Sequence, residues 1–133
     1  MLFSIITVTY NAREALEVTT ESVRNQTFGD WEHLIIDGAS ADGTVEFARE
    51  YAAEVNASSG IEKVKVLSER DKGLYDAMNK GLERAQGKYV IFLNAGDTFH
   101  DFQSFWIMEC IACIEEDYIL SLSEFQARIL CII

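Results

Sequence analysis

Apolar and polar positions along the chain change their period repeatedly, the signature of strands alternating with helices. Residues 3–8 form a nearly continuous, β-branched apolar run, which predicts a strand covered on both faces. From Asn11 the period lengthens. Asn11 and Glu14 match a capping box, and Leu16, Thr19 or Thr20, and Val23 then share one helical face. A loop at 26–30, with Gly29, leads to a second strand over 31–36 that ends at Asp37. The stretch DGASADGT, with two Asp-Gly pairs, is turn chemistry. Val45, Ala48 and Tyr51 predict a second helix over 44–55, with a loop at 56–60, and Val64, Val66 and Leu67 mark a third strand. After the charged turn SERDKG, the residues Leu74, Ala77, Met78, Leu82 and Ala85 predict one side of a third helix, ended by Gly87 as a left-handed cap. Residues 88–93 make the fourth strand, and FLNAGD is its exit.

Four strands joined by three helical crossovers predict an α/β fold: a Rossmann-like parallel sheet with helices on both faces, because parallel neighbours need long right-handed connections. Ligands of such sheets sit at the carboxyl ends of the strands. All four ends carry polar residues: Thr9, Tyr10 and Asn11; Asp37, Gly38, Ala39 and Ser40; Ser68, Glu69, Arg70 and Asp71; Asn94, Ala95, Gly96 and Asp97. Singly, each has a plain structural explanation: Asn11 caps a helix, Asp37 and Gly38 turn the chain, and Asp97 solvates a loop. Their convergence on one edge is what points to a ligand site.

Composition narrows the class of ligand. A chain of 133 residues, 49% of them hydrophobic, suffices for one core. Its formal net charge of −11 argues against nucleic acid and anionic membranes, which demand a basic face. An anionic small molecule remains open through backbone N–H groups or a divalent metal. No apolar stretch approaches the roughly 20 residues of a transmembrane helix. MLFSIITVTYN lacks a basic start and a small-residue cleavage site, so it reads as a buried strand and not as a signal peptide, and the simplest compartment is the cytoplasm, at most peripheral at the inner membrane. Cys110, Cys113 and Cys131 are an odd count late in the chain, which suggests reduced core thiols over a disulfide framework or a zinc site.

The first crossover lacks G-x-G-x-x-G, and G-x-x-x-x-G-K-[ST] is absent throughout. Without a glycine cradle, a diphosphate needs a metal ion and the oxygen ligands that hold it. The blocks FSIITVTYNA, QTFGDWEHLIIDGASADGT and SERDKGLYDAMNKGLERAQGKYVIFLNAGDTF resemble, in order, the signature blocks of family 2 glycosyltransferases of the GT-A fold, over residues 2–101. These are inverting enzymes that use nucleotide-diphosphate sugars. IIDGAS, DKGLYDAMNKG and FLNAGD are most similar to the branch that builds bacterial surface polysaccharides such as colanic acid and capsule.

The resemblance implies that Thr9, Tyr10 and Asn11 border the nucleotide base and ribose, and that Asp37, with the turn through Ser40, faces the base edge. Many relatives have a second acid where this chain has Gly38. Asp71 resembles the acid that closes the nucleotide pocket, with Arg70 and Lys72 as phosphate neighbours. FLNAGD corresponds to the D-x-D turn that binds Mg²⁺ or Mn²⁺. Asn94 and Gly96 stand at its two acidic positions, so Asp97 is the certain anion and Asn94 a neutral helper.

After about Phe102 the pattern changes, so the resemblance divides the chain into a nucleotide-sugar-binding half at 1–102 and an apolar tail at 103–133. A general base is expected in the half that binds a glycan or lipid-linked acceptor, but nothing in the spacing of Glu109, Glu115, Glu116 and Asp117 selects one. The sequence thus carries two readings: a sugar transferase acting on such an acceptor, and a catalytically incomplete nucleotide-binding fragment or interaction protein.

Overall fold

The computed structural model describes residues 2–99. The readings made for the tail at 103–133, for the three cysteines and for Glu109, Glu115, Glu116 and Asp117 lie outside the described residues. The chain runs β1 (Phe3–Thr9), α1 (Arg13–Arg24), β2 (Trp31–Asp37), α2 (Thr44–Ser59), β3 (Val64–Ser68), α3 (Leu74–Arg84) and β4 (Tyr89–Phe92). The strands form one parallel sheet in the order β3-β2-β1-β4, as the alternating pattern predicts.

This order dictates the layers. Helices α1 and α2 carry the chain one way across the sheet, from β1 to β2 to β3, and α3 carries it back past both to β4. Right-handed crossovers made in opposite directions put their helices on opposite faces. Leu16 and Val23 of α1, with Ala48, Tyr51, Ala52 and Val55 of α2, therefore pack with Phe3, Ile5, Ile35 and Ile91 in one layer. Ala77 of α3 packs with Ile6, Leu34 and Ile36 in the other. β1 and β2 feed both layers and are almost wholly buried, which is why their sequences show no alternation. The reversal of strand order falls between β1 and β4, and in sheets of this kind a crevice opens there at the carboxyl ends.

Helix α3 departs from its predicted face. Leu74 and Leu82 are exposed, and the buried positions are Ala77 and Gly81. A Cβ on Gly81 would stand 2.5 Å from Ile6 Cγ2, so the helix lies too close to the sheet for large side chains beneath it. Gly87 does not cap this helix either: α3 ends at Arg84, and Ala85 follows in an extended conformation. The Gly87 N–H donates to Ser4 Oγ at 2.7 Å, and a Cβ there would meet the Ser4 nitrogen at 2.6 Å. Close approach to β1 is what requires that glycine. Buried Glu32 anchors the same connection, its Oε1 accepting from Ser4 Oγ and from the Gln86 N–H at 2.6 Å each.

Helix α2 runs beyond the predicted 44–55, to Ser59, with Gly60 as a left-handed cap at φ 72°. Asn56, expected in a loop, stays helical and clips the start of β3: its Oδ1 accepts the N–H groups of Lys63 (2.7 Å) and Val64 (2.8 Å), and its Nδ2 donates to the Val64 carbonyl (2.9 Å). No described helix is long and apolar enough to cross a membrane.

Candidate functional site

β1 ends at the edge where the strand order reverses. Thr9 is buried and its Oγ1 has no hydrogen-bond partner among the described residues. Tyr10, directly after β1, is 64% exposed. Asn11 takes a left-handed conformation (φ 44°), which asparagine tolerates better than most residues. It does not cap α1, as its spacing to Glu14 suggests; Ala12 stands at the cap, without a side-chain hydrogen bond. Asn11 instead reaches across to the loop after β2. Its N–H donates to Ser40 Oγ at 2.8 Å, and its Oδ1 accepts the Ala41 N–H at 2.9 Å. The left-handed turn aims both groups away from the helix.

Asp37 is a carboxylate with no exposed surface. A buried charge is tolerated only when its lone pairs are met. Here Oδ2 accepts the Ser40 N–H (2.9 Å) and Ser68 Oγ (2.8 Å), while Oδ1 accepts Ser40 Oγ (2.5 Å). The β2–β3 register sets Asp37 directly beside Ser68. Asp37 thus ties the exits of β2 and β3 together from inside the protein.

Gly38 continues the ladder, its N–H donating to the Thr9 carbonyl at 3.0 Å. The space above its Cα is taken by two neighbours. A Cβ there would lie 2.8 Å from Asp71 Oδ2 and 3.3 Å from Tyr10 Cδ2. Asp71 belongs to the loop between β3 and α3, where its Oδ1 accepts the Gly73 N–H at 3.0 Å. The same loop is stapled to its helix. The Lys72 N–H donates to Asp76 Oδ2 at 2.9 Å, and Lys80 donates to the Arg70 carbonyl at 2.9 Å. That backbone hydrogen bond, with Lys80 alongside, holds the Asp76 carboxyl below its usual range. The Arg70 and Lys72 residues themselves are exposed.

The fourth loop follows β4. Leu93 and Ala95 donate their N–H groups to the carbonyls of Ile6 (2.9 Å) and Val8 (3.3 Å), which carries the β1–β4 ladder into the turn. The turn closes on itself: Asp97 Oδ2 accepts the Asn94 N–H at 3.2 Å, and the Asp97 N–H donates to the Asn94 carbonyl at 2.9 Å. Gly96 supplies the left-handed φ of 99°. Thr19 of α1 then fixes the turn from below, donating to the Asp97 carbonyl at 2.8 Å and accepting the Gly96 N–H at 2.9 Å.

The donor set in this turn fits a hard divalent cation. Asn94 Oδ1 is buried with no hydrogen-bond partner among the described residues, and an orphaned buried acceptor is costly unless something beyond those residues meets it. Asp97 adds a carboxylate on the same turn. No cluster of three or more His, Cys, Asp or Glu side chains occurs among the described residues, so phosphate oxygens and water would complete the shell, an arrangement Mg²⁺ readily accepts.

Thr9, Tyr10, Asn11, Asp37, Gly38, Ser40 and Asp71 therefore form one continuous hydrogen-bonded and packed patch, which β1 joins to Asn94 and Asp97. Sequence reasoning named Ser68 only as one polar residue of a strand exit and Thr19 only as a candidate for a helical face, and gave Ala41 no role. The signal for Thr19 was present, since a hydroxyl on the face that buries Leu16 and Val23 needs a buried partner.

This sheet order defines a Rossmann-like α/β domain of the GT-A kind. The chain belongs to glycosyl transferase family 2, whose profile matches residues 4–122. It is 35% identical over 100 residues to the PGL/p-HBAD biosynthesis glycosyltransferase of Mycobacterium bovis, covering 75% of this chain and 37% of the relative. It is 41% identical over 96 residues to the putative teichuronic acid biosynthesis glycosyltransferase TuaG of Bacillus subtilis, covering 72% of this chain and 36% of that protein. The chain thus spans a little over a third of the length of these curated relatives. Among solved structures, the fold matches S. aureus TarS in complex with UDP-GlcNAc (TM-score 0.74, 22% identity, 86% of this chain and 32% of that one). It also matches the mannosyltransferase PcManGT from Pyrobaculum calidifontis in complex with GDP-Man and Mn²⁺ (TM-score 0.69, 24% identity, 77% and 30%).

Proposed function

We propose that this chain carries the donor-binding half, residues 1–102, of an inverting glycosyltransferase that moves a sugar from a nucleotide-diphosphate sugar to a glycan or lipid-linked acceptor in polysaccharide assembly on the cytoplasmic side. The observation that carries the reading is that all four polar strand exits lie along the one carboxyl edge of the parallel sheet, the edge that holds the β1–β4 switch point where open α/β sheets bind ligands. The names of the relatives, which concern teichuronic acid and PGL/p-HBAD biosynthesis, support the same reaction class.

The residues divide the work by position. Tyr10, exposed beside Gly38, offers a ring against which a base can lie, and the Thr9 hydroxyl, without a partner among the described residues, offers a hydrogen bond at the end of β1. Asp37, Ser40 and Asn11 act from within, fixing the loops that carry those groups. Asp97 and Asn94 would hold Mg²⁺ or Mn²⁺. Bound there, such an ion would supply positive charge against the diphosphate of the leaving group. Titration of UDP- and GDP-sugars with and without Mn²⁺, followed by an assay for nucleoside diphosphate release, tests the reading. Metal-dependent binding with release supports transfer, binding without release supports the incomplete nucleotide-binding fragment, and absence of binding overturns both.

A further inference from the structure

Asp37 cannot read a base while it is buried with three donors on its carboxylate, and Gly38 has no side chain to do so. The carboxylate beside that glycine comes from another loop. Asp71 Oδ2 occupies the volume that any side chain at position 38 would claim, and the Tyr10 ring flanks the same point. The Gly73 N–H engages Asp71 Oδ1 and so fixes the carboxylate, leaving Oδ2 without a hydrogen-bond partner among the described residues.

Resting on the nucleotide-sugar reading above, we propose that Asp71 is the specificity-determining residue for the donor base. Its Oδ2 selects bases that carry an N–H at the centre of their pairing edge, namely uracil, thymine and guanine, over cytosine and adenine. The chemistry is that of an acceptor without a proton of its own. An ionised carboxylate accepts the N3–H of uracil or the N1–H of guanine, whereas the N3 lone pair of cytosine and the N1 lone pair of adenine face it as a second acceptor. A buried or half-buried mismatch of that kind leaves both groups unpaired, the arrangement that discriminates most strongly between analogues. The absent acid at position 38 and the presence of Asp71 are then one feature: the glycine clears the space into which the second loop delivers the carboxylate.

The substitution Asp71→Asn makes a sharp test, because the amide keeps an oxygen for the Gly73 N–H and turns the free atom from acceptor to donor. Binding of UDP, CDP, GDP and ADP to the full 133-residue chain is measured by calorimetry in saturating Mn²⁺. Wild type is expected to bind UDP over CDP and GDP over ADP by about tenfold or more, the size of one hydrogen bond to a charged group. Asp71→Asn is expected to reverse the UDP and CDP order with an unchanged melting temperature. Gly38→Ala, whose methyl crowds Oδ2, is expected to weaken UDP binding and narrow its margin over CDP. An unchanged UDP-to-CDP ratio in Asp71→Asn, or a wild type that prefers CDP, overturns the role of Asp71 and leaves the nucleotide-sugar reading intact. A wild type that binds none of the four nucleotides overturns that reading, and this inference with it.

Discussion

Thr19 and Asp97 stand 78 positions apart, yet the Thr19 hydroxyl donates to the Asp97 carbonyl at 2.8 Å from a side chain with no exposed surface. The same oxygen accepts the Gly96 N–H, so one helical residue holds two of the four residues in the candidate metal turn. Thr19→Val keeps the shape and removes both bonds. The expected cost is about 1–3 kcal/mol of stability, the range for buried polar groups left without partners. Mn²⁺-dependent nucleotide binding should weaken with it, and Thr19→Ser should restore that binding. A valine variant whose Mn²⁺ titration matches wild type would show that the turn holds its geometry without the helix.

The contact between Gly81 and Ile6 makes a second prediction, this one about the fold. Gly81→Ala places a methyl 2.5 Å from Ile6 Cγ2 and should destabilise the protein by about 1–3 kcal/mol, as overpacking commonly does. In an Ile6→Ala background the same substitution should cost much less, since neighbours in direct contact are not additive. Equal costs in the two backgrounds, measured by urea denaturation, would place the strain elsewhere.

These two contacts also mark how far the sequence could be read. Long apolar runs such as IITV and LII, broken by polar turns, were enough to predict the parallel sheet and the edge on which its polar exits gather, because burial on both faces leaves a plain pattern. Helix α3 was legible as a helix but only in part as a surface: of the predicted stripe Ala77 does face inward, while Leu74 and Leu82 are exposed, and closeness to β1 buries Gly81, which the stripe leaves out. Asn11 carried a cap signature, and its left-handed backbone spent that side chain on a contact 30 residues away. The carboxylates at 37, 71 and 97 were visible as a set. Asp97 lies on the candidate metal turn that the FLNAGD block marks, and the tether of Asp71 to Gly73 is local, but the burial of Asp37 against Ser68 depends on the pairing of β2 with β3, which local spacing does not encode.

His33 gives the protein an acid-sensitive core. Its ring is fully buried between Thr7 Oγ1 (2.7 Å from Nε2) and the Tyr51 hydroxyl (3.2 Å from Nδ1), and burial pulls its pKa down to about 3 from an ordinary 6.5. The folded state therefore binds this proton less readily than the unfolded state. The stabilisation is fully present above about pH 6.5 and is lost progressively as pH falls toward 3. Melting temperature should fall across that window, and more steeply than in His33→Gln. Parallel pH profiles for the two proteins would assign the loss to other groups.

Asn56 should behave as a hinge pin between α2 and β3. Asn56→Ala removes three hydrogen bonds to Lys63 and Val64, leaving backbone groups at a strand start without partners. A loss of about 2–4 kcal/mol is expected from two or more such groups, with little change in nucleotide affinity because the clip lies away from the carboxyl edge of the sheet. Hydrogen exchange at the Val64 amide reports it directly, and unaltered protection there would contradict the role.

The central claim is that the exits of β1, β2, β3 and β4 form a nucleotide-diphosphate site whose metal turn is anchored by Asp97. Calorimetric titration of UDP- and GDP-sugars into wild type, Asp97→Ala and Asn94→Ala, each with and without Mn²⁺, tests it most directly. The expected result is saturable binding strengthened by Mn²⁺, with the metal-dependent part lost in Asp97→Ala and only partly lost in Asn94→Ala. Equal affinity of wild type and Asp97→Ala in saturating Mn²⁺ would contradict it.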